Sequence, residues 1–216
     1  FHDEDDKLVG YDVEVMRLVA EKLGVTAEFA ECEWDGIFAG IDAKRYDVAA
    51  NGVEITEERA EKYDFSIPYG YIRTALIVRG DNEDIAAFED LAGRKTANSI
   101  ASTYMTLAES YGAEAVGVDT LDQTIDMVLS GRVDATLNAV VSFYDYLNQH
   151  PDANIKIVAL TDEASQVAIP VRKGEENAAL LAAISQAIEE LSAEGELTRL
   201  SEQYFGVDIS QPDAQD

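Results

Sequence analysis

Segments of helical period alternate with short strand-like runs along this chain, and the alternation restarts once after Gly80. That rhythm points to a mixed or parallel sheet with helices packed on it. In the first series Val13, Met16, Val19, Ala20 and Leu23 recur at helical spacing, and Gly24 closes the element. Thr26 to Cys32 reads as a strand with Ala27, Phe29 and Ala30 toward a core. Gly36 to Lys44 carries Ile37, Phe38 and Ile41 on one helical face, and Asp47 to Gly52 reads as a short strand of small residues. The apolar run Thr74 to Val78, ended by Gly80-Asp81-Asn82, leads into the second series. There, strands are expected at Lys95 to Asn98, Ala115 to Val118, Val133 to Leu137 and Ile155 to Leu160. Helices are expected at Thr103 to Tyr111, Leu121 to Leu129 and Val141 to Leu147. A second apolar run, Gln166 to Val171, places Pro170 on a sheet edge. The tail from Glu175 to Phe205 is helical, with Ile184, Ile188 and Leu191 on one stripe and a break at Gly195.

The 216 residues, 47% hydrophobic, fit one large domain or two lobes of about 100 residues each, either able to bury a core. With 43 acidic against 16 basic residues the net charge is -27, which argues against nucleic acid and anionic membranes as partners. A halophile's solvated coat would show the same balance. No stretch approaches the roughly 20 apolar residues that span a bilayer. The chain begins abruptly at Phe1, and nothing about export follows from that.

Cys32 is the single cysteine, so no intrachain disulfide can form, and between Glu31 and Glu33 it reads as a structural strand residue. The two histidines, His2 and His150, stand apart from any spaced set of acids or cysteines, so no metal site and no cofactor is expected. The strings that mark α/β-hydrolase nucleophiles, P-loops, dinucleotide folds and zinc proteases are missing from the sequence.

Four places are candidates for binding chemistry. The first is Asn51 to Tyr69, NGVEITEERAEKYDFSIPY, where Thr56 caps a short helix opened by Glu57 and Glu58. Arg59 opposes the helix dipole there, at a cost of roughly 0.3–1 kcal/mol, so its guanidinium is expected to reach a carboxylate. That carboxylate is Glu57, Glu58, another surface acid or a ligand's. Second, Asn98 to Tyr104 runs from a strand end into a helix that begins near Ser102, an anion-binding terminus or an ordinary serine cap. Third, Trp34 is either a packed core ring or a ligand platform. Fourth, Asn138 ends a strand, where open α/β sheets place binding groups and where turn asparagines are also common.

Taken together, these stretches resemble the extracytoplasmic solute-binding proteins of polar amino-acid ABC transporters, family 3. LVGYDVEVMRLVAEKLGV is similar to the family's opening, and WDGIFAGIDAKRYDVAANGVEITEERAEKYDFSIPY to its most specific region, which ends in an R…DFS.PY motif. FEDLAGRKTANS, GRVDATLN and ELTRLSEQYFG extend the likeness over nearly the whole chain, and Trp34 with IDAKRYD leans toward the cystine-binding branch over the glutamine-binding one. The resemblance implies an α/β, type II periplasmic-binding-protein-like fold of two lobes, each a mixed sheet flanked by helices. Lobe 1 would be 1–72 with 167–216 and lobe 2 would be 73–166, joined by hinge strands near Tyr69 to Thr74 and Ala164 to Val167. It also implies a monomer outside the cytoplasm, in the periplasm or lipid-anchored at the cell surface, that captures an amino acid by lobe closure and docks on ABC permease subunits.

Carried over residue by residue, Arg59 grips the ligand carboxylate and the N–H groups around Ser102 and Thr103 hold it from the other lobe. The Gly52 carbonyl accepts from the ammonium, Trp34 stacks on the side chain, and Ser99 and Asn138 tune specificity. The chain departs from the family in having Glu54 for the usual Thr and Ala139 for the usual ammonium-binding Asp. An unpaired buried ammonium is costly, so Glu54 is expected to replace that Asp; otherwise Glu54 meets a basic ligand side chain, or the ligand is not an ordinary α-amino acid. The family's first strand would precede Phe1. The rival readings are an enzyme on the same scaffold, of cyclohexadienyl-dehydratase type with Glu54 as its acid or base, and the ligand-binding domain of a receptor.

Overall fold

The computed structural model describes residues 1–212, so positions 213–216 of the expected segment 167–216 lie outside the described residues. In chain order the helices are α1 (Tyr11–Leu23), α2 (Gly36–Asp42), α3 (Glu57–Lys62), α4 (Thr103–Ser110), α5 (Leu121–Leu129), α6 (Val140–Gln149), α7 (Ala178–Ala193) and α8 (Glu196–Phe205). The strands are β1 (Tyr63–Phe65), β2 (Gly70–Ile72), β3 (Thr74–Arg79), β4 (Lys95–Ser99), β5 (Glu114–Val118), β6 (Ala135–Ala139), β7 (Ile155–Leu160), β8 (Ser165–Val167) and β9 (Pro170–Arg172). They form two compact units. One comprises Phe1–Cys32, Gly36–Ile72 and the described residues from Ser165 onward; the other comprises Glu33–Asp35 and Arg73–Ala164.

In the first unit α1 buries Tyr11, Val15, Met16, Val19 and Ala20 against α7 and α8. It stops at Gly24, whose left-handed backbone (φ 68°) turns its N–H back to the carbonyls of Ala20 and Glu21. The break expected at Gly195 is present, at φ 77° between α7 and α8. Sheet structure here is sparse. β1 pairs antiparallel with β9, and β2 pairs antiparallel with β8, setting Gly70 opposite Val167 and Ile72 opposite Ser165.

Two expected strands do not form. Among the described residues Thr26 to Cys32 takes no ladder partner, and Asp47 to Gly52 is reduced to a single bridge from Val48 to Val171. A strand is a pairing rather than a conformation, and alternation of side chains alone does not supply the second chain. Cys32 is consequently exposed, not a packed strand residue.

The second unit is a mixed sheet of order β5-β4-β6-β3-β7. β4 runs parallel to β5 and β6, whereas β3 runs antiparallel to β6 and β7. Strand β3, flanked by β6 and β7, is buried from Thr74 to Val78, which explains its apolar run. Leu76, Val78, Ala135 and Leu137 pack with Phe88, Leu91 and Ala108 in the core of this unit. Because β4 and β6 are parallel neighbours, their carboxyl ends lie together, followed by α4 and α6.

Candidate functional site

In the first unit the Asn51 to Tyr69 stretch builds a fixed guanidinium. Thr56 Oγ1 accepts the Arg59 N–H at 3.1 Å, the expected N-cap of α3. Arg59 Nη1 donates to the main-chain carbonyl of Glu54 at 2.9 Å, and the guanidinium carbon lies 5.3 Å from the centroid of the Phe38 ring. A cation over an aromatic face gains about 0.5–2 kcal/mol, enough to offset the helix-dipole cost. Glu58 makes an exposed pair with Lys62 at 3.4 Å. Behind Arg59 the Phe38 ring sits 4.8 Å from that of Tyr63, whose hydroxyl donates to Asp42 at 3.0 Å. Burial and the Asp42 carboxylate push the Tyr63 phenol up to about 12, so it acts as a donor at any physiological pH.

Glu54 is only 6% exposed, and its backbone is stitched to the segment that carries β8. It bridges Val167, while Ile55 N donates to Gln166 O at 2.9 Å and Ala168 N to Val53 O at 3.0 Å. Gly52 adopts φ 55°, and its N–H donates to Asp12 Oδ1 at 3.1 Å. The same oxygen accepts the Tyr69 hydroxyl, and the Tyr69 carbonyl accepts the Tyr11 hydroxyl at 2.7 Å. Desolvation raises the Asp12 carboxyl above the ordinary aspartate range, against the two hydrogen bonds it accepts. Desolvation and the neighbouring Asp12 charge hold the Tyr69 phenol well above its usual value.

In the second unit β4 ends at Ser99 and the chain turns through Ala101, a non-glycine residue at φ 58°. Ser102 then caps α4, its Oγ accepting the Met105 N–H at 3.2 Å. The hydroxyl is thus an ordinary serine cap, and what the opening turn at Thr103 offers an anion is main-chain N–H groups and the helix dipole. Asn138 uses its Oδ1 to accept the Ala139 N–H at 2.8 Å, a local turn bond. Thr96 of β4 pairs with Ala135 of β6 and Ala97 with Thr136, and two residues on that register sets Ser99 level with Asn138. Ser99, Ser102, Thr103 and Asn138 therefore share the carboxyl-end edge of one sheet, where open α/β folds place ligands.

Gly52, Glu54 and Arg59 come together in the first unit, whereas half-buried Trp34 falls in Glu33–Asp35, grouped with the second. Sequence reasoning did not single out Phe38, Tyr69 or Asp12. Phe38 reads as one of three apolar residues on a helix face, and Asp12 as a first-turn acid of α1.

The profile of the bacterial extracellular solute-binding proteins, family 3, matches residues 1–207. The chain is 40% identical to a probable amino-acid ABC transporter-binding protein of Haemophilus influenzae, over 98% of this chain and 81% of that protein. It is 39% identical to the L-cystine-binding protein TcyA of Bacillus subtilis, over 97% of this chain and 78% of that one. The crystal structure of the L-cystine solute receptor of Neisseria gonorrhoeae, unliganded and open, is 44% identical with a TM-score of 0.66, covering 98% of this chain and 89% of the receptor.

Proposed function

Because the chain belongs to the bacterial extracellular solute-binding proteins of family 3, we propose that it captures a polar amino acid, cystine first among candidates, for an ABC importer. Its fold is α/β, of the type II periplasmic-binding-protein kind. Its relatives are binding proteins, and this chain is read as a binder with no catalytic step. It works outside the cytoplasm, as a monomer in the periplasm or lipid-anchored, and delivers its ligand to permease subunits.

The observation that carries the reading is Arg59, set by the Thr56 cap, the Glu54 carbonyl and the Phe38 ring within the span that the family profile matches. A guanidinium held in one orientation loses little entropy on meeting a carboxylate, which it can grip with two parallel bonds. In the proposed complex Arg59 takes the α-carboxylate from lobe 1, made of 1–72 with 167–216. The amides at Ser102 and Thr103 take the same group from lobe 2, made of 73–166. The Gly52 carbonyl and the Glu54 carboxylate meet the ammonium, Glu54 replacing the acid missing at Ala139. Trp34 stacks on the ligand side chain, and Ser99 and Asn138 select it. Closure about β2 and β8 follows from the ligand's higher affinity for the closed form.

A thermal-shift screen of the twenty amino acids and cystine tests this. A true ligand at a hundred times its dissociation constant stabilises by roughly 2.7 kcal/mol. Arg59→Ala is expected to abolish that shift while the unliganded protein still melts cooperatively; no shift with any amino acid overturns the reading. Small-angle scattering tests closure separately, an unchanged radius of gyration at saturation counting against it.

A further inference from the structure

Asp12 is absent from the contacts proposed above, yet the Gly52 loop hangs from it. Gly52 stands in the left-handed region at φ 55°, with open space where a Cβ would lie, so packing does not hold it there. Hydrogen bonds do. Upstream, its N–H is tied to Asp12 Oδ1 at 3.1 Å; downstream, Val53 O and Ile55 N are tied to Ala168 and Gln166. With both flanks anchored, the direction of the Gly52 carbonyl is set by the scaffold.

Asp12 is itself fixed. Its Oδ1 also accepts from the hydroxyl of Tyr69, a fully buried residue. Tyr69 stacks on Tyr11 at 5.9 Å and donates its own N–H to Val167 O at 3.0 Å. A carboxylate is a stronger acceptor than a neutral amide, by about a factor of two for a charge-assisted bond. Burial makes that charge costly, and the bonds from Gly52 and Tyr69 are what favour keeping it.

From this arrangement we infer that Asp12 is a positioning residue for the ligand's ammonium, acting through the Gly52 N–H on the direction of the Gly52 carbonyl, with Tyr69 locking the Asp12 side chain. The inference rests on the amino-acid reading given above, because it needs an ammonium at Gly52.

Titration calorimetry with L-cystine and with 3,3′-dithiodipropionic acid, which keeps the disulfide and both carboxylates but has no ammonium, separates the roles. Asp12→Ala is expected to weaken cystine about tenfold or more, the scale of a lost charge-assisted bond, and to leave the des-amino acid within about twofold. Asp12→Asn, which keeps an acceptor oxygen, is expected to restore most cystine affinity, and Tyr69→Phe to fall between. In the ligand-free protein, amide exchange at Gly52 is expected to quicken in Asp12→Ala and not in Asp12→Asn. Equal losses for the two ligands, or unchanged cystine binding and unchanged exchange, overturn the inference. Should Asp12→Ala fail to melt cooperatively, Tyr69→Phe and Asp12→Asn carry the same comparison. A wild-type protein that binds no amino acid defeats the functional reading and this inference together; wild-type binding matched by every variant defeats this inference alone.

Discussion

Glu54 is where one side chain decides most. It lies 6% exposed in a bridge to Val167, so its carboxylate has little freedom to relax if its charge is removed. If it meets the ligand ammonium, Glu54→Gln weakens amino-acid binding by about 2–5 kcal/mol, the cost of breaking a buried charge pair. Calorimetry on the variant checks this, and unchanged affinity sinks the role. Asp12 makes a separate prediction about pH. Its carboxyl titrates above the ordinary aspartate range, so the folded state binds that proton more tightly than the unfolded chain does. Its contribution to stability is therefore fullest below the unfolded value of about 3.9 and is lost as pH rises through the folded one. Asp12→Asn has no such loss. Urea midpoints taken from acid to neutral pH are expected to shift in the variant's favour relative to wild type as pH rises. A constant difference contradicts the raised titration.

At the scale of elements, the second unit was nearly legible as written. The expected helix at Leu121 to Leu129 is α5 to the residue, and the expected strand at Ile155 to Leu160 is β7. The cap at Thr56 forms as expected and Ser102 forms the serine cap that was one of its two readings, because a cap is a bond between neighbours in sequence. Ser102→Ala is expected to cost about 1 kcal/mol of unfolding free energy without ligand, measured by urea denaturation, and no loss would mean α4 does not depend on its cap. The first unit was less legible. Thr26 to Cys32 has strand-like alternation and finds no ladder partner among the described residues, and Cys32 is exposed. Alkylation of the folded protein by iodoacetamide is accordingly expected to go to completion at Cys32 without denaturant; protection until unfolding would restore the strand.

For the whole molecule, the net charge of -27 is expected to weigh more in stability than the isolated ion pairs on its surface. Surface pairs such as Lys62 with Glu58 at 3.4 Å are weakened by salt, but 43 acids against 16 bases leave an excess that repels itself. Screening that excess outweighs the loss of a few surface pairs. The melting temperature is expected to rise between about 0.02 and 0.5 M sodium chloride, as the screening length falls well below 10 Å. A fall would mean that the surface pairs matter more than the net charge. What the sequence by itself determined was the alternating α/β order, the helix ends and the family likeness, since each is written within a few residues of the groups involved. Only the tertiary structure decided that Asp12 lies beneath Gly52 and Tyr69, that Arg59 rests on a carbonyl and an aromatic ring, and that one promising strand has no neighbour. The reason is physical: pairing and desolvation depend on groups tens of residues apart along the chain, about which local periodicity carries no information.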